Sequence, residues 1–312
     1  MGTKDAKAKE YISDNARFSD LCNYVLYDGR CVIRPQDLQE RDTTEVLSVF
    51  GIDKRQIVQQ KWRDILKNVT IKYTGSMYVM LIGVENQTEV HYAMPVKNML
   101  YDALSYSQQV NDIKKAHKKD KDYKDSAEFL SGFTKNDKLV PVVTITLYLG
   151  VDEWDGPRGL TDMMGELEPE VLKLVTDYKI NLIDPHKITD FTKFQTGLRL
   201  LLEMLKNASD EEKISEVVRS DEAFKRVDVE TVAAINLFVG TDIKVDKKEE
   251  VVNMCKAWDD HKAAGLAEGI IEMGEDYGIS ENEIVLKLQE KLNISSSKAL
   301  EYMEMYSKQL RV

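Results

Sequence analysis

Two apolar runs divided by a short turn constrain the fold of this chain more than any other feature of its sequence. Aliphatic residues are prominent from Asp64 to Thr74, and Gly75-Ser76 then provides a turn. The second run, Met77 to Glu85, is apolar almost throughout, as expected of a central strand covered on both faces. The two runs lie close enough in sequence to predict an antiparallel hairpin.

Helices and a further strand are predicted on either side of this hairpin. Residues 5–27 and 93–119 have helical spacing, and Pro95 falls in the first turn of the second helix, where its missing N–H costs nothing. Leu139 to Leu149 predicts a third strand. The order helix, strand, strand, helix, strand predicts an α/β sandwich around a mixed sheet.

After Trp154 the pattern becomes mainly helical. Helices are predicted over residues 194–207, 220–238 with Ser220 as N-cap, 247–277, 282–292 and 296–309. We predict a core domain over residues 1–157, a helical extension packed on it over 158–245, and a long helix with a small helical module over 246–312. Gly265, Gly269 and Gly274 would let another helix approach closely, so a homodimer through these C-terminal helices is one expectation.

The charge of the chain is divided unevenly between its halves. The formal net charge is −11, but residues 1–150 hold 22 basic and 20 acidic residues, whereas residues 151–312 hold 21 and 34. Such asymmetry indicates separate domains. The acidic total weakens a DNA-binding interpretation without excluding it, because an enzyme on DNA needs only a locally basic track.

Cysteine usage and hydropathy favour a cytoplasmic protein. Cys22, Cys31 and Cys255 are odd in number and lack zinc-like spacing, so we expect reduced, packed thiols. No apolar run approaches the length of a membrane-spanning helix, and the charged N-terminus lacks the apolar core of a signal peptide. We therefore expect no membrane partner.

One constellation of polar residues at the strand ends indicates chemistry. Asp64 begins the first strand and Glu85 ends its neighbour, so the two carboxylates would lie side by side and present the oxygen ligands that Mg²⁺ prefers. Gln87 follows two residues later on the same face and could orient a water molecule or contact a phosphate. The alternative is ordinary, since Asp near a strand start is often a turn residue and Glu at a strand exit is often solvated.

The sequence around this constellation resembles a known family. Trp62 to Lys67, followed by Val84 to Gln87, is similar to the core of the PD-(D/E)XK nucleases, and specifically to the Rpn-type recombination-promoting nucleases, often labelled transposases. Further similar motifs, which bring the likeness to about half the chain, are Ser13-Asp14-Asn15, Arg17-Phe18-Ser19-Asp20, His91 to Leu104, Phe129 to Phe133, Asp137 to Pro141 and Glu153-Trp154-Asp155-Gly156-Pro157. The resemblance implies an α/β fold with a PD-(D/E)XK nuclease-like core, a mixed sheet flanked by helices in αβββαβ-type order, followed by a mainly helical C-terminal region.

The same resemblance implies a Mg²⁺- or Mn²⁺-dependent endodeoxyribonuclease linked to recombination or mobile elements. It implies that Asp64 and Glu85 bind metal and that Gln87 is the third active-site residue. Gln87 departs from the wider superfamily, where a lysine is usual, although glutamine is typical of the Rpn-like branch. Lys97 on the following helix could supply the missing charge, and His91 could lie at the edge of the site. Asp42 is an upstream candidate acid, with a turn or cap role as the alternative.

A lysine-rich tract provides candidates for DNA contact. Lys114, Lys115, Lys118 and Lys119 belong to the strongest basic cluster of the sequence and would suit phosphate binding. The alternative is a solvated helix end, which the helix dipole favours in any case. A second class of function also stays open, namely a catalytically inactive nuclease-fold protein that binds DNA or regulates a protein partner.

Overall fold

A computed structural model describes residues 3–41, 44–46, 60–62, 64–73, 76–245 and 250–309. The chain divides into two compact units, Met1–Ser209 and Asp210–Val312. The domain boundaries expected after residues 157 and 245 stay a prediction. Within the described ranges, no helix is both long and apolar enough to cross a membrane.

A mixed five-stranded sheet is the centre of the first unit. The strands of this unit are β1 (Leu38–Glu40), β2 (Thr44–Val46), β3 (Gln60–Trp62), β4 (Ile65–Tyr73), β5 (Ser76–Gln87), β6 (Val142–Tyr148) and β7 (Asn181–Ile183). The sheet order is β1-β4-β5-β6-β7, while β2 and β3 form a separate antiparallel pair. The β1–β4 and β4–β5 pairings are antiparallel, and the β5–β6 and β6–β7 pairings are parallel. The predicted mixed sheet is therefore confirmed, with the apolar run as its central strand.

Helices cover both faces of this sheet. The helices of the first unit are α1 (Thr3–Ser13), α2 (Asn15–Tyr27), α3 (Met94–Asp120), α4 (Ser126–Ser131), α5 (Pro169–Leu172) and α6 (Leu198–Lys206). On one face, Leu66 and Leu81 form an apolar cluster with Val142, against which Tyr106 of α3 packs. The next residue, Lys67, points to the opposite face, because side chains alternate along a strand, and it reaches the junction of α1 and α2.

A buried lysine ties the two N-terminal helices to the sheet. Lys67 is fully buried, and its Nζ donates hydrogen bonds to the Ser13 carbonyl oxygen at 2.6 Å and to Asn15 Oδ1 at 2.5 Å. The ammonium also lies 5.0 Å from the centroid of the Phe18 ring. Burial lowers the pKa of Lys67, and the nearby Glu40 carboxylate opposes that shift. This contact fixes the junction of α1 and α2 against β4.

The single helix predicted over residues 5–27 is wrong, because the chain breaks at Asp14. Asp14 has φ −56° and ψ 131°, and its Oδ1 accepts hydrogen bonds from the backbone N–H groups of Ala16 and Arg17. Asp14 is thus an N-cap that starts α2 at Asn15. The apolar residues keep a helical spacing on both sides of this break, because each helix buries one of its faces.

The second unit is mainly helical, as predicted, but its early boundaries differ. Its elements are α7 (Glu211–Ser220), β8 (Val227–Asp228), α8 (Val229–Val239), β9 (Val251–Val252), α9 (Met254–Asp276), α10 (Glu281–Leu292) and α11 (Ser296–Gln309). Ser220 ends α7 rather than starting a helix, and Asp228 caps α8 by accepting the Thr231 N–H at 2.9 Å. The helix predicted from residue 247 begins at Met254, where Asn253 is the cap.

The last three helices share an apolar core of their own. Ala267, Ile271, Ile284, Leu288, Ala299, Tyr302 and Met303 form it. Gly274 permits the approach of α10, because a Cβ atom there would lie 2.6 Å from Ile284 Cδ1. Cβ atoms at Gly265 and Gly269 would meet nothing within 4 Å among the described residues. The homodimer expected through these helices stays a prediction.

Candidate active site

The strand register brings the two predicted carboxylates together. Ile65 pairs with Val84, so Asp64, one residue before β4, stands opposite Glu85 near the end of β5. Asp64 Oδ2 accepts a hydrogen bond from the Asn86 backbone N–H at 2.8 Å. That bond orients Asp64 across the strand ends and leaves its second oxygen available to a ligand.

A lysine from α3 contacts the second carboxylate. Glu85 is only 1% exposed, and its Oε2 lies 2.9 Å from Lys97 Nζ. Lys97 stands in the first turn of α3, which Pro95 helps to start because proline tolerates the first helical positions. The helix is fixed over β6 by the hydrogen bond from Asn98 Nδ2 to Thr146 Oγ1 at 2.8 Å. The positive charge that Gln87 lacks is therefore present beside Glu85.

The electrostatic surroundings of Asp64 are mixed. Burial raises the pKa of its carboxyl group above the ordinary value, and the Asn86 hydrogen bond opposes that rise. Lys97 and Lys9 also lower the pKa of Asp64, whereas Asp5 raises it. The carboxylate therefore lies in an environment that would favour a bound cation.

These side chains surround a cleft of about 530 Å³. It is lined by Asp5, Lys9, Asp64, Asn86, Gln87, Thr88, Glu89, Val90, His91 and Lys97. Of the predicted active-site residues, Asp64, Gln87, His91 and Lys97 line it directly, and the buried Glu85 contacts Lys97. The structure thus brings Asp64, Glu85, Gln87, Lys97 and His91 to one place.

Gln87 and His91 hold positions at the edge of the cleft. Gln87 Nε2 donates to the Asn86 carbonyl oxygen at 2.8 Å. His91 Nδ1 accepts the Ala93 backbone N–H at 3.2 Å, and its pKa is lowered by burial and by the charge of Lys97. At neutral pH the His91 imidazole is therefore mainly uncharged, so it can accept or donate a hydrogen bond but adds little positive charge.

The loop beyond His91 is held by one of the family-like motifs. Tyr92 donates to the Asp155 carboxylate at 3.0 Å. Trp154 is buried against Tyr148, and its indole N–H donates to the Gly156 carbonyl oxygen at 2.8 Å. A Cβ atom at Gly156 would lie 2.8 Å from Val90 Cγ1, which explains the glycine at this position. This motif supports the wall of the cleft and does not enter it.

Helix α1 contributes two residues that sequence reasoning missed. Asp5 and Lys9 line the cleft, although they precede Asp64 by more than fifty residues. Both read as ordinary charged positions of an amphipathic helix, and only the anchoring of α1 by Lys67 brings them to the strand ends. The sequence alone does not reveal the contact between Lys67 and the α1–α2 junction, so neither residue could be predicted from it.

The predicted DNA-binding lysines lie far from the cleft. Lys114, Lys115, Lys118 and Lys119 belong to the last turns of α3, whereas Lys97 belongs to its first turn. At 1.5 Å per residue, about 30 Å of helix separates Lys97 from Lys118. Asp42, the upstream candidate acid, lies outside the described residues.

The donor atoms at the strand ends could hold a hard divalent cation. Asp64 and Glu85 supply two carboxylates, the number with which Mg²⁺ is commonly bound when water and substrate phosphates complete its octahedron. Among the described residues, no group of three or more His, Cys, Asp or Glu side chains is placed to hold a metal ion. Asp64 and Glu85 could therefore hold such an ion only if water or substrate oxygens supplied its remaining ligands.

A mixed sheet flanked by helices, with carboxylates at the adjoining ends of two strands, defines the class of PD-(D/E)XK nuclease-like proteins. The chain belongs to the family described as "Putative transposase, YhgA-like", a PD-(D/E)XK nuclease-like group, whose model matches residues 52–230. This agrees with the resemblance to the Rpn-type nucleases and links the chain to mobile elements. Neither the curated proteins nor the solved structures contain a significant match to this chain.

Proposed function

We propose that this protein is a Mg²⁺- or Mn²⁺-dependent DNA endonuclease that acts in recombination or the movement of mobile elements. The observation that carries the proposal is the juxtaposition of Asp64 and Glu85 at the strand ends, with Lys97 Nζ 2.9 Å from Glu85 Oε2. Membership of a family described as putative transposases supports DNA as the substrate class.

Asp64 and Glu85 are the residues that would hold the metal. A bound Mg²⁺ or Mn²⁺ would polarise the scissile phosphate and lower the pKa of the attacking water. Asp64 is held for this role by the Asn86 N–H, which occupies Oδ2. Glu85 is buried, so its charge is balanced locally rather than by solvent.

Lys97 and Gln87 together would replace the lysine that is usual in the wider superfamily: Lys97 supplies the positive charge and Gln87 the hydrogen bonds. If Asp64 and Glu85 held a metal ion, the flexible Lys97 ammonium would be available for the phosphate, where it would offset the charge that develops in the transition state. Gln87 provides hydrogen-bonding capacity without charge and can orient the attacking water. Lys9, which also lines the cleft, adds a second positive charge for a substrate phosphate.

A catalytically inactive nuclease-fold protein is the second candidate. It is favoured by the Glu85–Lys97 ion pair, because a lysine that stays bound to Glu85 would compete with a metal ion. Two further observations favour an inactive protein. Gln87 carries no positive charge, and no group of three or more possible metal ligands is found among the described residues. This protein would bind DNA or a protein partner without cutting.

Plasmid cleavage separates the two candidates. Purified protein is incubated with supercoiled plasmid with Mg²⁺, with Mn²⁺ or with EDTA, beside the Asp64→Asn and Glu85→Gln variants. We expect metal-dependent nicking that both variants abolish. The matched control is Asp184→Asn, because Asp184 is a buried carboxylate like Glu85 and lies in the same unit but outside the cleft, so this variant should still cut.

Two outcomes would overturn the nuclease proposal. The first is the absence of cleavage by a folded wild-type protein in either metal. The second is cleavage that persists unchanged in both cleft variants. A gel shift with salt titration then identifies the alternative, since a DNA-binding protein loses affinity steeply with salt and a protein-binding scaffold does not bind the probe.

A further inference from the structure

The segment after α3 presents two large apolar side chains to solvent on a well-fixed support. Helix α3 ends at Asp120 with Lys121 as its C-cap, and the short helix α4 follows at Ser126–Ser131. We call residues 121–137 the α4 tip. On it, Phe129 is 72% exposed and Leu130 is 82% exposed.

The α4 tip is held in place at both of its ends. His117 of α3 contacts Asp122 through Nδ1 at 2.8 Å and Asp137 through Nε2 at 2.9 Å. A Cβ atom at Gly132 would lie 2.5 Å from the Lys114 side chain, so the end of α4 packs closely on α3. Phe129 and Leu130 are therefore presented at a fixed position.

The acidic residues of this region are occupied by local contacts. Asp122 and Asp137 bind His117, and Asp137 also accepts the Thr134 N–H at 2.6 Å. Asp125 accepts the Glu128 N–H at 2.9 Å, and Glu128 accepts the Lys124 N–H at 2.8 Å. Four of the five acids between residues 114 and 138 thus have partners within the region itself.

The lysines of the same region are directed outward. Residues 114–138 contain eight lysines against those five acids. Within the described ranges, six exposed lysines make no ion pair: Lys118, Lys119, Lys121, Lys124, Lys135 and Lys138. The exposed apolar pair is therefore surrounded by unpaired positive charge, which complements a polyanion and would oppose an ordinary apolar protein contact.

We propose that the α4 tip is a second DNA-contacting surface, in which the lysines bind phosphates and Phe129 and Leu130 insert at a base step. Proteins that bend DNA use apolar wedges of this kind beside basic side chains. The distance supports this use, because about 30 Å along α3 separates the cleft from the tip, close to one helical turn of DNA. This inference rests on the proposed function, in which DNA is the substrate of the cleft, and it adds a second site at which the protein contacts the duplex.

Base unstacking tests the wedge directly. Duplexes of about 30 base pairs carry 2-aminopurine at successive interior positions, and fluorescence is recorded with the metal-free protein, beside binding measured over a range of salt. We expect wild-type protein to raise the fluorescence at one or two positions. The Phe129→Ala/Leu130→Ala double variant should lose that signal and bind about tenfold more weakly with an unchanged salt slope.

Two further variants separate the contributions. Lys118→Ala/Lys119→Ala should lower the salt slope by about 2, since each phosphate contact contributes about 0.9. Leu174→Ala is the matched control, because Leu174 is 87% exposed and lies outside the basic region, so it should behave like wild type. Unstacking that survives in the double variant would overturn the proposal.

The outcomes also separate this inference from the nuclease proposal. Plasmid cleavage without any unstacking overturns the wedge and leaves the nuclease proposal standing. Unstacking that depends on Phe129 and Leu130 without cleavage supports the wedge and overturns the nuclease. Binding to vesicles that contain phosphatidylserine, with no binding to duplex, would identify the tip as a membrane contact and overturn the wedge.

Discussion

Lys97 Nζ lies 2.9 Å from Glu85 Oε2, so a helix places a positive charge at a strand end where the strand itself carries Gln87. The carboxylate is 1% exposed and the lysine side chain is 26% exposed. A charge that is buried in this way depends on its partner, because desolvation disfavours an uncompensated carboxylate. The same pair is therefore relevant both to stability and to the chemistry proposed for the cleft.

Removal of the lysine charge should destabilise the protein. Lys97→Met keeps most of the aliphatic stem and leaves the Glu85 carboxylate without that partner, so we expect a loss of about 3 kcal/mol in the free energy of unfolding. The Lys97→Met/Glu85→Gln double variant should recover much of it, because the buried charge is then also gone. Urea unfolding followed by circular dichroism measures both. Equal midpoints for wild type and Lys97→Met would contradict the prediction.

Neutralisation of Asp64 should remove activity without lowering stability. Burial raises the pKa of Asp64, so the folded state favours the protonated carboxyl group. The contribution of this group to the free energy of unfolding is therefore lost as the pH rises through its pKa in the folded state. Asp64→Asn mimics the protonated form and keeps an acceptor for the Asn86 N–H. At pH 7 its melting temperature should equal or exceed that of wild type. At pH 3 to 4 the difference should shrink, and a lower melting temperature at pH 7 would contradict the prediction.

The two contacts of His117 should make the α4 tip sensitive to pH. Hydrogen bonds to Asp122 and then Asp137 raise the pKa of His117, because both ring nitrogens must donate when both face carboxylates. A raised pKa means that this stabilisation is present below the ordinary histidine pKa and is lost as the pH rises through the folded pKa. Limited proteolysis between residues 121 and 137 should therefore accelerate above neutral pH. In His117→Gln the cleavage rate should be high at every pH and follow only the protease's own pH profile, and a wild-type rate that also did so would contradict the prediction.

The three cysteines should differ in reactivity. Cys31 is exposed, Cys255 is half-buried and donates to the Val218 carbonyl oxygen at 3.0 Å, and Cys22 is buried. Burial raises the pKa of the Cys22 thiol, and the thiolate is the reactive form. Titration of native protein with Ellman's reagent should modify Cys31 first and Cys22 only after unfolding in guanidinium. Rapid modification of Cys22 in the native Cys31→Ser variant would contradict this order, whereas modification of Cys255 would not.

The hairpin at the centre of the sheet could be predicted because its signals are local. The turn predicted at Gly75-Ser76 and the apolar run after it predict adjacent antiparallel strands, and the observed register then places Asp64 opposite Glu85. Helix boundaries were less predictable where an N-cap residue interrupts a stretch of continuous helical spacing. Asp14 and Asp228 each end one periodic stretch and start another, so the apolar spacing passes through a break that only the cap reveals.

The remainder of the site depends on contacts between distant parts of the chain. Lys97 was foreseen as a candidate because it follows the strand closely, whereas Lys9 and Asp5 were not. Their place is fixed by Lys67, whose hydrogen bonds to Ser13 and Asn15 join segments more than fifty residues apart. Nothing in the composition of α1 distinguishes such residues from solvated ones.

The position of α1 has a consequence for how this family can diversify. The family match begins at residue 52, yet Asp5 and Lys9 form part of the cleft wall. The residues that the family model matches thus do not include every residue that lines the cleft. Changes in this N-terminal helix would alter the charge of the cleft while Asp64 and Glu85 stay the same, so the cleft can change outside the segment that identifies the family.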